Sequence, residues 1–147
     1  MPREKAFGTL LVVAACAGTS ARPARTPTLT PTQIEAPVTD IIEAAFAADC
    51  LLAEADSLWA PDAVVVADGR LRFAAPRFAG VGPGGAVAIT TSRLEVRQSL
   101  AWVYLEYRWS ELKAGLVREG RATVLLAPAP EGTAWRIVHA HSSSESR

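Results

Sequence analysis

Ala101-Trp102-Val103-Tyr104-Leu105-Glu106-Tyr107-Arg108-Trp109 is the stretch that decides the fold. In an extended chain, side chains alternate between two faces. Ala101, Val103, Leu105, Tyr107 and Trp109 therefore share one face, while Trp102, Tyr104, Glu106 and Arg108 share the other. The first face suits a core, and the second, with aromatics beside charges, suits solvent or a partner surface. The next candidate strand, Leu116 to Leu126, repeats the pattern, with Ala122, Val124 and Leu126 opposing Arg121, Thr123 and Leu125. Two further strands are read at Val87 to Arg97 and Ala134 to His141, and Ala63 to Ala67 turns through Asp68-Gly69 into Arg70 to Phe73 as a hairpin. Upstream, Ile41, Ile42, Ala45, Phe46, Leu52, Ala55 and Leu58 recur at helical spacing. They read as two short helices or one bent helix. Pro37 is expected at the start, Asp49-Cys50 at a break and Trp59-Ala60-Pro61-Asp62 as the stop. Helices followed by antiparallel strands indicate an α+β domain with its helices gathered on one face of the sheet, the face carrying Leu105 and Tyr107.

The chain has 147 residues, half of them hydrophobic, which suits a single core. Fifteen basic residues balance fifteen acidic ones, so nothing drives the molecule towards a phosphate backbone, and general nucleic-acid binding is not expected. Arg3 and Lys5 precede the apolar run Ala6 to Ala15, which is too short for the roughly 20 residues of a membrane span and is read as a signal peptide over residues 1–15. Val13-Ala14-Ala15-Cys16 resembles the bacterial lipoprotein signal. That resemblance implies cleavage before Cys16, lipidation of its thiol, and an exported protein attached to a membrane only through the lipid. The two cysteines also allow a disulfide between Cys16 and Cys50. Ala17 to Gln33, with three prolines and five threonines, cannot build a core and reads as a tether. The folded domain is expected over residues 34–147.

Chemistry-bearing patterns are sparse. There is no Cys-x-x-Cys, and the histidines are His139 and His141, so no metal site is expected, and no cofactor either. Gly80-Val81-Gly82-Pro83-Gly84-Gly85 has the spacing of a dinucleotide-binding turn, but a strand pattern follows it where that motif requires a helix. It is read as a flexible turn.

Trp59-Ala60-Pro61-Asp62-Ala63-Val64-Val65-Val66, the glycine-rich loop, Gly120-Arg121-Ala122-Thr123 and the terminal Trp135-Arg136-Ile137-Val138-His139-Ala140-His141-Ser142-Ser143 together resemble the SnoaL-like branch of the nuclear transport factor 2 superfamily. The terminal motif is also similar to the association domain of calcium/calmodulin-dependent protein kinase II. The resemblance covers about Val38 to Ser143. It implies a cystatin-like cone, in which a strongly curved antiparallel sheet wraps N-terminal helices around a cavity, and frequently a homodimer formed through the backs of the sheets. Such folds host many activities, so fold alone does not choose a function.

Phe46, Trp59, Tyr107 and Trp109 are the candidate lining of an apolar ligand pocket in the cone. His139 and His141 share a strand face and join them as candidates, on the same parity as Trp135 and Ile137 unless a bulge intervenes. The leading expectation is a lipid-anchored, dimeric domain that binds a small apolar molecule in its cone or serves as an assembly module. The alternative is a cofactor-free enzyme of isomerase, dehydratase or hydrolase type, with a cavity histidine as acid-base and Tyr107 as oxyanion donor. That alternative requires a histidine close to Tyr107. The catalytic residues stay unassigned, and whether the chain is an enzyme stays open.

Overall fold

The computed structural model describes residues 31–146, apart from Gln98 and Thr133. The expected signal peptide, Cys16 and the tether up to residue 30 lie outside the described residues. A single helix, α1 (Pro31–Leu51), comes first. A short 3-10 turn (Asp56–Leu58) leads into six strands: β1 (Trp59–Ala67), β2 (Arg70–Leu71), β3 (Ala86–Arg97), β4 (Leu100–Glu111), β5 (Leu116–Pro128) and β6 (Trp135–Ser146). They form one curved, unclosed sheet in the order β2-β1-β6-β5-β4-β3.

Helix α1 exists because one stripe of it is apolar. Ile34, Val38, Ile42, Ala45, Phe46 and Cys50 recur at helical spacing, and all are buried. Pro37 is not the helix start that its position suggests; it lies well inside α1, on the exposed side. Burial of Ile34, one turn earlier, carries the stripe across the proline and extends the helix into the stretch read as tether. The second expected helix is reduced to the 3-10 turn. Leu52 takes a left-handed backbone (φ 50°) that ends α1, and its fraying turn is closed by the Ala53 N–H donating to the Ala48 carbonyl at 2.9 Å.

Trp59-Ala60-Pro61-Asp62, expected to stop a helix, instead opens β1. Pairing of β1 with β6 is parallel and jumps from Trp59↔Ile137 to Val64↔His139, so residues 60–63 bulge out of the ladder. Pro61 sits in that bulge, where its missing N–H costs no ladder bond. The parallel pair is also a departure from the expected all-antiparallel sheet. The hairpin is as read: Asp68 (φ 48°) and Gly69 (φ 73°) make the two-residue turn between β1 and β2.

The faces of β4 and β5 are those the alternation predicts. Ala101, Val103, Leu105, Tyr107 and Trp109 are buried with Ala122, Val124 and Leu126 against α1, whereas Trp102 and Tyr104 stand exposed on the outer face. Gly120 of β5 faces Tyr107 across the ladder. A Cβ there would lie 2.6 Å from Tyr107 Cε2 and Oη, and the ring is held in place by its own hydrogen bond. Gly120→Ala is expected to cost about 1–3 kcal/mol by overpacking, read as a lowered denaturation midpoint.

Candidate functional site: a cone closed by its own loop

The segment between β2 and β3, residues 72–85, enters the concave side of the sheet and fills it. Phe78 is 2% exposed. Its ring stacks on Phe46 at 4.2 Å between centroids and lies 6.0 Å from Trp59 and 6.4 Å from Tyr107. Ala79 and Val81 are buried beside it. Of the expected pocket residues, Phe46, Trp59 and Tyr107 are therefore brought together, but around a protein side chain. Trp109 stands farther along β4 against the glycines of the same loop.

Side chains from α1, β4, β5 and β6 hold this loop through its backbone. The Arg77 and Phe78 N–H groups donate to Asp49 Oδ2 at 2.6 and 2.7 Å. The Ala79 N–H donates to Ser142 Oγ at 2.9 Å, and Tyr107 Oη donates to the Ala79 carbonyl at 2.6 Å. Trp109 Nε1 donates to the Gly82 carbonyl at 2.8 Å, Arg118 Nη1 to the Gly80 carbonyl at 3.4 Å. The Gly84 N–H donates to the Cys50 carbonyl at the end of α1 at 3.1 Å. The glycine-rich segment, expected as a flexible turn, is thus a pinned plug. Its glycines serve close approach: a Cβ at Gly80 would meet Ser144 Cβ at 2.7 Å, at a φ of 70°.

Asp49 is the residue that sequence reading missed. It occupies the buried stripe of α1, is 1% exposed, and carries a pKa pushed up to about 6, chiefly by burial. The Phe78 and Arg77 N–H bonds and the Arg77 charge pull the other way. Burial likewise raises Tyr107 and Cys50. A carboxyl this enclosed is out of reach of a solute, so its chemistry here is to accept two backbone hydrogen bonds and fasten the loop.

The histidines are elsewhere. A bulge at Val138, opposite the Leu125/Leu126 step of β5, slips the parity of β6: Ile137, Ala140 and Ser142 face inward. His139 pairs with Leu125 and His141 with Thr123, on the outer face that also carries Trp102 and Tyr104. Tyr107 faces the opposite side, so the approach that the enzyme alternative requires is absent. Among the described residues no group of His, Cys, Asp and Glu could hold a metal ion, and no helix is long and apolar enough to cross a membrane.

What the plug leaves open is a groove of about 540 Å³ at the seam between α1 and β3. Phe46, Ala47, Cys50 and Leu51 line it from the helix, and Gly85, Ala86, Val87 and Ile89 from the loop end and β3. Glu43 is its one charged residue. Phe46 is the expected pocket residue that reaches this groove.

Solved structures with this architecture span nearly their whole length on this chain. A nuclear transport factor 2-like superfamily protein of Salmonella enterica serovar Typhimurium is 16% identical, covers 80% of this chain and 95% of its own, and superposes with a TM-score of 0.58. A protein of unknown function with a cystatin-like fold from Nostoc punctiforme is 8% identical over 80% of this chain and 94% of its own, with a TM-score of 0.62. A protein of Xanthomonas campestris, provisionally described as a calcium/calmodulin-dependent protein kinase II association domain, is 19% identical over 83% and 93%, with a TM-score of 0.58. At these identities the likeness is one of fold. No curated protein matches the chain. Residues 34–145 match the family model of the SnoaL-like domain, and the chain accordingly belongs to the SnoaL-like family.

Proposed function

We propose that this protein is an exported, lipid-anchored binding module, working as a homodimer, that takes a small and largely apolar molecule in the groove between α1 and β3. The observation that carries the reading is the groove itself. It is walled on both sides by aliphatic and aromatic carbon, and it remains open beside the plug. A concave, mostly apolar site with one polar group at hand is the usual form of a small-molecule site. The dimer is supported by the outer face, where Trp102 is 50% and Tyr104 37% exposed beside Arg93 and Glu95.

Native mass spectrometry of the gently purified full chain tests this directly. The expected species is a dimer that retains a defined extra mass. Ala47→Trp, at an exposed position on the groove wall, should keep the dimer and lose that mass. Trp102→Arg should give a monomer. A monomeric wild type would remove the dimer, and a retained mass that survives Ala47→Trp would place the ligand elsewhere. Cys16→Ser should release the protein from membranes in cell fractionation. Unchanged membrane association would refute the anchor.

A further inference from the structure

Three arginines converge on a second cleft, of about 360 Å³, at the end of the sheet where β1 leaves β6. It shares no lining residue with the α1–β3 groove. The bulge at residues 60–63 opens it, and bulges often occur where a sheet accommodates a site. Arg72 comes from the end of the hairpin, Arg77 from the plug and Arg136 from the start of β6. Arg77 is only 9% exposed; its guanidinium lies 5.0 Å from the centre of the Trp59 ring and 3.5 Å from Asp56. Arg136 Nη2 reaches Glu131 at 3.0 Å.

Among the described residues, the buried side-chain polar atoms without a hydrogen-bond partner are Arg72 Nε and Arg136 Nε. Both arginines contribute to the lining of this one cleft. These two atoms are covered and are not themselves met by a solute, but they show that neither guanidinium is fully satisfied within the protein. Asp56, 84% exposed, pairs with Arg77, and Glu131 pairs with Arg136, so the excess positive charge of the cleft is that of Arg72. Guanidinium groups match carboxylate and phosphate oxygens by their planar fork of donors. The rest of the lining decides between these anions. Trp59, Ala63 and Val65 offer carbon, and Phe73, 85% exposed, stands at the edge. A bare phosphate would leave that surface unused.

We propose that this cleft binds a small organic carboxylate whose body is aromatic or aliphatic, the carboxylate held by Arg72 and Arg136 and the body seated against Trp59 and Phe73. The inference stands whether or not the α1–β3 groove takes a ligand.

Isothermal titration of the full chain with phenylacetate, its neutral analogue phenylacetamide and inorganic phosphate tests it. Phenylacetate should saturate one site per chain. Arg72→Gln and Arg136→Gln should each weaken it by about tenfold, the loss of one charge-assisted contact. Phenylacetamide should give no saturable binding. Phe73→Ala, an exposed change that leaves the core alone, should weaken phenylacetate and not phosphate. Absence of saturation with phenylacetate, or binding undiminished in both arginine variants, would overturn the site. Phosphate binding as tightly as phenylacetate would overturn the organic-acid assignment.

Discussion

Phe78→Ala is expected to destabilise the domain by about 3–5 kcal/mol, the range for truncating a well-packed aromatic residue. The size follows from where the ring sits. It is fully enclosed by Phe46, Trp59 and Tyr107, three side chains from three different elements that cannot collapse together without moving α1 or the sheet. The void left behind would be lined by aromatic carbon, and apolar voids of that kind stay dry and admit small aromatic solutes. Chemical denaturation should therefore show a large loss that benzene partly restores, because a ligand that binds only the folded state stabilises it. A loss below about 1 kcal/mol would place Phe78 at the surface rather than in the core.

Stability should fall with rising pH through the titration of Asp49, and Asp49→Asn should abolish that dependence. The carboxyl's pKa stands at about 6 in the folded protein against 3.8 in its ordinary state. Between these values the folded state binds the extra proton. The stabilisation is therefore fully present below the unfolded pKa and is lost as pH rises through about 6. A difference of about two pKa units corresponds to about 3 kcal/mol. Asparagine keeps an acceptor oxygen for the Arg77 and Phe78 amides and does not titrate. Relative to the Asp49→Asn variant, wild type should thus lose about 2 kcal/mol between about pH 4 and about pH 7.5. A pH-independent difference between the two proteins would mean that the carboxyl is not enclosed.

The sheet is legible because its signals are local. Alternation in β4 and β5 assigns their faces correctly, and Asp68-Gly69 gives the hairpin. Bulges defeat the same reasoning at β6: one extra residue at Val138 turns His139 and His141 outward while Ile137 stays in. Thr90 does the same to β3, where the register shifts between Ile89 and Thr91. Nothing in residues 72–85 announces a plug, since its fastenings join residues 27 to 63 positions apart and depend on the tertiary fold. Asp49 does carry a signal. The helical stripe through Ile42, Ala45 and Phe46 reaches position 49 at the next step, and a carboxylate on a buried stripe must find donors. Phe46, Trp59, Tyr107 and Trp109 are apolar and inward-facing as their pattern indicates; that Phe78 occupies the space beside them follows from packing alone.

Amide hydrogen exchange of the Arg77 and Phe78 N–H groups tests most directly that the cone is closed by its own loop. With their bonds to Asp49 and the Phe78 ring in the core, both amides should exchange as slowly as those of Leu105 and Val124, through global unfolding. Exchange at the rate of an open loop would show a cone free to admit solutes and would return Phe46, Trp59 and Tyr107 to the lining of a ligand pocket.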